Sequence, residues 1–314
     1  LKALPSKVRS QIGLGYLLAR ISDTIADSIK GSTSQRLEAL EQYNNRIQQR
    51  SNTLPNLSIL AQLQHNPAEA ELLEKATIPV SYLEEFSNTD QQYIRRVLDI
   101  IISGQTLDLK RFTHANPNAI IALNKEDALD DYTYRVAGCV GEFWTHLCLN
   151  HLFEVDAAKE AQLFENAVLF GKALQLVNIL RDLPEDLRAG RCYIPASLLS
   201  EQNLKPNDLL NHQNIDRFQP IYNSYLKKTV DYFNAAASYI NMLPFSQFRM
   251  RGACTLPVIL GLKTVTLLQQ TNILKNENRI KVSRPDVKLM MRQTILALSS
   301  PKRTQKLISL YRDA

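Results

Sequence analysis

From residue 6 to residue 312, apolar side chains recur at intervals of three and four, and the two-residue alternation of a half-buried strand is rare. A chain patterned this way can bury its apolar surface only by packing helices on one another. The periods place helices at 6–29, 33–50, 55–64, 67–75, 79–86, 89–103, 125–153, 158–183, 206–213, 215–241, 247–270, 283–298 and 301–312. Between them lie Gly31, Pro55, Pro67, Pro79, Gly104, the Asn116-Pro117-Asn118 turn, Gly190, Pro195, Pro206 and Pro244. With 10 glycines in 314 residues and no Gly/Ser linker or internal repeat, the expected architecture is one all-α domain covering 1–314.

The charge pattern narrows the partners. The formal net charge is +6, and nine basic residues between Lys275 and Lys306 meet only Glu277 and Asp286, so the chain before them is close to neutral. No aromatic residue is interleaved with the basic stretch before Tyr311, which argues against nucleic acid as a partner. Cys139, Cys148, Cys192 and Cys254 form no CxxC pair, the five histidines fit no zinc spacing, and reduced thiols are expected. No window reaches 18 uninterrupted apolar residues, so no membrane span is expected; Ala253 to Leu268 is broken by Pro257 and Lys263.

Three stretches carry more than packing requires. In the first, Leu14, Leu17, Leu18, Ile21, Ile25 and Ile29 form a core stripe, and Tyr16, Arg20, Asp23 and Asp27 share another face at spacings of four, three and four. Two carboxylates one turn apart can hold a hard cation such as Mg²⁺, which takes oxygen ligands at about 2.1 Å and keeps several waters. A solvated face with an Arg20–Asp23 pair, worth under about 1 kcal/mol, accounts for the same charges. In the second, Gln175, Asn178, Asp182 and Asp186 repeat the arrangement beside Arg181, Arg188 and Arg191, and Pro184 is expected to end or kink the helix before Asp186. An exposed charged helix end explains those charges, though not the two amides. In the third, Gly138 and Gly141 follow Tyr132 inside a helical pattern. Each costs about 1 kcal/mol relative to alanine, which implies close approach of another helix or a ligand. A tyrosine there usually buries its ring and hydrogen-bonds at the rim.

Together the three stretches resemble the squalene/phytoene synthase family, the head-to-head isoprenyl diphosphate synthases. Tyr16, Arg20, Asp23 and Asp27 match its first acidic motif. Gln175, Asn178, Arg181, Asp182, Asp186, Gly190 and Arg191 match its second, and Tyr132, Val136, Ala137, Gly138, Val140 and Gly141 its central motif. The resemblance implies a helical bundle of the isoprenoid-synthase type around an apolar cavity, with the two acidic faces opposed across it. It implies Mg²⁺ held by Asp23, Asp27, Asp182 and Asp186, with Asn178 as a further ligand. Two farnesyl diphosphates are then bound through Tyr16, Arg20, Gln175, Asn178, Arg181 and Arg191, and Tyr132 steers the proton loss that forms a cyclopropyl intermediate.

Within the family, Arg188-Ala-Gly-Arg191-Cys-Tyr193-Ile-Pro195 and Phe248-Arg-Met-Arg-Gly-Ala-Cys254-Thr-Leu-Pro257 are similar to segments of the reductive, squalene-forming branch. Lys281-Val-Ser-Arg284 is similar to the stretch that contacts NADPH phosphates, a solvated helix end being the alternative. Non-reductive dehydrosqualene or phytoene synthesis, and a non-catalytic lipid-binding helical protein, remain alternatives. The family's S-R-x-F segment is expected upstream of Leu1, because Ser6-Lys7-Val8-Arg9 lies too close to the first motif. A cytoplasmic monomer that touches the inner face of the membrane transiently completes the expectation.

Overall fold

Helix starts in this chain are fixed by small polar side chains that accept orphan backbone N–H groups. The computed structural model, which describes residues 1–28, 31–275 and 279–313, shows the device repeatedly. Ser32 and Gln35 form a reciprocal capping box at the start of one helix. Ser87, Asp156 and Ser283 accept from the N–H groups of Asp90, Lys159 and Asp286 at the starts of three others. The described residues fall into two compact units, one of Leu1–Lys2, Ser6–Thr113 and His146–Leu152, the other of Ala3–Pro5, His114–Thr145 and Phe153–Ala314.

The first unit is built from α1 (Ser6–Ala26), α2 (Thr33–Ile47), α3 (Ser58–Gln62), α4 (Pro67–Glu74), α5 (Thr77–Tyr82) and α6 (Asn88–Arg111). Leu14, Leu18, Ile21 and Ile25 of α1 are buried with Leu40, Tyr43 and Ile47 of α2 and Ile94, Leu98 and Ile102 of α6. Burial of each such side chain stabilises by about 1.5–3 kcal/mol. Leu17, expected in that stripe, is exposed instead, and Ile29 lies outside the described residues. The buried hydroxyl of Tyr43 donates to the Leu18 carbonyl at 3.0 Å. α6 runs through Gly104, where a break was expected; its amphipathic period continues on both sides, and one glycine costs a helix only about 1 kcal/mol. Asp90, buried in the first turn of α6, takes Gln11 Nε2 at 3.1 Å and His151 Nε2 at 2.7 Å, which ties three elements of the unit together.

The second unit contains β1 (Ile121–Ala122), α7 (Glu126–Thr133), α8 (Cys139–His151, whose last turns belong to the first unit), α9 (Ala157–Arg188), β2 (Arg191–Cys192), α10 (Ala196–Glu201), α11 (Ile215–Met242), α12 (Phe248–Gln269), α13 (Arg284–Ala297) and α14 (Pro301–Arg312). The helix expected over 125–153 is interrupted by a π-helical turn at Tyr134–Gly138, and 206–213 forms two short 3-10 turns. β1 and β2 pair in parallel, Ile121 with Arg191 and Ala122 with Cys192, a contact too short to leave an alternating signal. Gly190 opens β2 with φ +82°, and a Cβ there would lie 2.3 Å from the Asn116 amide nitrogen.

The close approach implied by the central glycines is present. A Cβ on Gly141 would lie 2.0 Å from the Ala167 carbonyl oxygen of α9, and one on Gly171 would lie 2.2 Å from that of Ala137. The two backbones touch where neither residue has a side chain.

α9 does not stop at Pro184, contrary to expectation. The proline removes the N–H that would bond the Leu180 carbonyl, but the buried Tyr222 hydroxyl on α11 donates to that oxygen at 3.1 Å and the helix continues to Arg188. α9 and Phe245–Gln269 are also long and apolar enough to cross a membrane by length and composition, although neither holds an uninterrupted apolar run. Much of that apolar surface lies in the core of this unit, with Leu163, Leu176, Leu180, Val258, Leu262 and Val265 all buried. All four cysteines are buried free thiols, and burial pushes Cys139, Cys192 and Cys254 up to about 12.

Candidate active site

The C-terminal end of an α-helix carries partial negative charge, so carboxylates are unfavourable there unless a cation joins them. α1 nevertheless ends at Ala26 with Asp23 in its last turn, Asp27 just beyond, and no basic residue in that turn. The Asp27 N–H still bonds the Asp23 carbonyl at 2.8 Å, so the two acids remain one turn apart, although the helix ends earlier than its apolar period implied. Burial first, and the Asp27 charge second, push the Asp23 carboxyl above the usual range, against a hydrogen bond from Gln105 Nε2 at 2.6 Å and the charge of Arg20. Arg20 lies 4.0 Å from Asp23 and makes its close contact with Glu69 on α4. Tyr16, 66% exposed, lies two turns before Asp23 on the same helix.

α9 presents the second acidic stretch in a different state. Because the helix is unbroken, Gln175, Asn178, Asp182 and Asp186 stay in one row, half-buried, and Asp186 holds regular geometry where a distortion was expected. Arg181 donates to both Asp182 oxygens, at 2.8 and 3.0 Å, and to Asn178 Oδ1 at 2.9 Å. Arg279 reaches the same carboxylate, with Nε 2.6 Å from Oδ1 and Nη2 against Oδ2. Burial alone would raise Asp182, but the hydrogen bonds and charges of Arg181 and Arg279 outweigh it and hold the carboxyl below its ordinary range. Arg191 Nη2 lies 3.0 Å from Asp186 Oδ1. Lys281 and Arg284 are exposed, two and five residues past Arg279.

Tyr132, near the end of α7, stacks on Tyr193 with centroids 4.7 Å apart, planes 24° apart and hydroxyls 3.4 Å apart. Tyr193 directly follows β2, so the parallel pair that anchors Arg191 also sets this ring. The π-turn begins two residues after Tyr132, and such bulges often mark functional sites because they rotate the side chains that follow. Deeper in the unit, Lys172 of α9, mostly buried, donates to both Asp130 oxygens at 2.8 Å and so joins α9 to α7.

Sequence reasoning did not assign Glu69, Gln105, Lys172, Tyr193 or Arg279 to the site. Only Arg279 and Tyr193 carried a signal, as a basic residue before the Lys281–Arg284 stretch and an aromatic just past Arg191. Among the described residues no three acidic, histidine or cysteine side chains gather into a preformed metal cage. Each acidic stretch offers hard oxygen donors that suit Mg²⁺ with water or substrate oxygens completing its shell. The raised carboxyl of Asp23 at a helix C-terminus fits such a cation directly; at Asp182 a cation competes with two guanidinium groups.

A profile of the squalene/phytoene synthase family matches residues 1–286, and the chain belongs to that family. It is 29% identical over 249 residues to the 15-cis-phytoene synthase of Synechocystis sp., covering 76% of this chain and 63% of that protein. It is 34% identical over 136 residues to a chloroplastic phytoene synthase of an Oncidium hybrid cultivar, covering 43% and 30%. The chain thus spans less than two thirds of the length of these relatives. Among solved structures, the complex of TcSQS with the ligand E5700 superposes with TM-score 0.80 at 17% identity, covering 99% of this chain and 84% of that one. The squalene synthase HpnC from Alicyclobacillus acidocaldarius gives 0.59 at 15%, covering 86% of each. These likenesses establish the all-α squalene synthase fold.

Proposed function

We propose that the protein is a Mg²⁺-dependent prenyltransferase that joins two farnesyl diphosphates head to head through presqualene diphosphate and then reduces that intermediate with NADPH to squalene. The observation that supports the reductive form is the contact of Arg279 with Asp182. It ties the second acidic stretch to the segment bearing Lys281 and Arg284, the residues assigned to the cofactor's phosphates.

In this reading Asp23 and Asp27 on α1, and Asp182 and Asp186 with Asn178 on α9, hold Mg²⁺, which supplies Lewis acidity toward the diphosphate oxygens. Arg181 and Arg191, half-buried and aimed at α9 carboxylates, offer planar forks that grip the phosphate oxygens of the leaving group. Arg20, Tyr16 and Gln175 orient the substrates. The Tyr132 hydroxyl, its ring fixed by Tyr193, lies beside the forming cyclopropane and steers the departing C–H proton to a diphosphate oxygen, which accepts it. Bound NADPH supplies the hydride of the second step. The protein acts as a cytoplasmic monomer.

A second reading, non-reductive synthesis of dehydrosqualene or phytoene, is favoured by the names of the curated relatives, which include phytoene synthases. A dehydrosqualene synthase structure also shares the fold at TM-score 0.55 and 17% identity, covering 95% of this chain. Incubation with farnesyl diphosphate and Mg²⁺, with and without NADPH, followed by hydrocarbon analysis, separates the two. Squalene formed only with NADPH supports the first reading. Dehydrosqualene or no hydrocarbon in both tubes overturns it.

A further inference from the structure

An α-helix on a folded surface ordinarily turns its large apolar residues inward, and scattered exceptions need no explanation. α13 departs from that rule in a patterned way. Met290, Thr294 and Ala297 are buried, while Leu289, Met291, Ile295 and Leu296 are 51, 48, 67 and 70% exposed. At 100° per residue these four form two rows, Leu289 with Leu296 and Met291 with Ile295, about 120° apart. Lys288 and Arg292, both exposed, run between the rows. Asp286, the acidic residue of α13, lies toward the far side and accepts from Ser283 at the helix start. α14, which packs against α13, exposes Lys302, Arg303 and Lys306 and contains no acidic residue.

Three occupants could cover such a face, and charge decides among them. A second copy docking about a two-fold axis would set Lys288 and Arg292 against themselves, with no acid on the face to meet them. A protein partner of fixed structure calls for aromatic anchors and directional polar groups, whereas this face offers aliphatic side chains, two flexible cations and Ser299. A bilayer surface needs no directional match. Aliphatic rows can enter the acyl boundary while long basic side chains reach back to phosphate headgroups. We propose that the outer face of α13 is a docking surface for an anionic lipid membrane, with Leu289, Met291, Ile295 and Leu296 inserted and Lys288 and Arg292 at the headgroups. The flanking Lys302, Arg303 and Lys306 add long-range attraction that salt screens.

This inference does not rest on the reaction proposed above, and its test uses no substrate. The whole chain is floated with vesicles of pure phosphatidylcholine and with vesicles containing 30 mol% phosphatidylglycerol, in parallel with two variants at exposed positions. One carries Leu289→Gln, Ile295→Gln and Leu296→Gln, the other Lys288→Ala and Arg292→Ala; circular dichroism checks that both fold. The wild-type chain is expected to bind the anionic vesicles at least tenfold more than the neutral ones, less so as salt rises. The apolar variant is expected to lose at least tenfold in binding, and the basic variant to lose most of its preference for anionic lipid. Absence of binding to anionic vesicles, or equal binding by all three proteins, overturns the proposal. So does a wild-type dimer that the apolar variant converts to monomer without any vesicle binding, which would assign the face to a second copy.

Discussion

The ends of α1 and α9 carry carboxylates at the same one-turn spacing, and their surroundings put them in opposite electrostatic states. At α1, Asp23 is half-buried beside Asp27 at the negative end of a helix dipole, with the amide of Gln105 as its nearest donor, while Arg20 turns to Glu69. At α9, Asp182 is gripped by Arg181 and Arg279, and Asp186 is met by Arg191. At the first, Arg20 stands 4.0 Å from Asp23 and makes its close contact with Glu69. At the second, two guanidinium groups of the chain itself already grip the carboxylate. Equal spacing in a sequence therefore does not imply equal readiness for a metal, because part of the counter-charge, Arg279 at Asp182, arrives from a distant position.

The largest expected effect falls on both sites alike. Asp23→Asn and Asp182→Asn should each reduce hydrocarbon formation from farnesyl diphosphate by about 100-fold or more, as loss of one preorganised transition-state contact commonly does. Full activity in either variant would remove that helix from the metal site. Stability is where the two should part. In the metal-free protein, Asp182→Asn removes the charge from a carboxylate that binds two guanidinium groups and should cost about 2 kcal/mol, a fall of roughly 4 °C in melting temperature. Asp23→Asn relieves repulsion at a helix C-terminus and should raise the melting temperature by about 1 °C, on the order of 0.5 kcal/mol. Thermal melts in EDTA read both shifts, and shifts of the same sign would erase the contrast.

The pH dependence sharpens the same comparison. Asp182 is held below the ordinary carboxylate range, so its contribution is present above that range and disappears as pH falls through it; the penalty of Asp182→Asn should shrink only in acid below about pH 4. Asp23 is held above the range, so the cost of ionising it is felt at neutral pH and fades once the carboxyl is protonated. The gain from Asp23→Asn should therefore shrink at higher pH than the Asp182→Asn penalty does. Melting temperatures of the three proteins between pH 3 and 7 would show the order, and a reversed order would contradict it.

Much of the fold was legible because local period and capping agree with the final packing. α2, α4, α13 and α14 begin within one residue of the starts at 33, 67, 283 and 301 that the apolar period implies, and the glycines at 138 and 141 announced a close helix contact that Gly171 reciprocates. The misreadings have tertiary causes. Pro184 reads as a helix end until Tyr222, 38 residues away, supplies the hydroxyl that satisfies Leu180. Of the candidate site, the rows on α1 and α9 were visible as helix faces, since both follow from spacing alone. The partners that set their charge state were not: Glu69 engages Arg20 across 49 positions of chain, Gln105 and Arg279 reach Asp23 and Asp182 across 82 and 97, and no local pattern records such a pairing.

The contrast between the two acidic helices is tested most directly by counting bound divalent ions without diphosphate. Titration with Mn²⁺ as a paramagnetic substitute for Mg²⁺, read by electron paramagnetic resonance, would be run on the wild-type protein and on Asp23→Asn, Asp182→Asn and Arg279→Gln. The expected result is a tight site that Asp23→Asn weakens at least tenfold and Asp182→Asn leaves in place, with added affinity in Arg279→Gln as the α9 carboxylate is freed. A tight site lost in Asp182→Asn but kept in Asp23→Asn, with no gain in Arg279→Gln, would contradict the account.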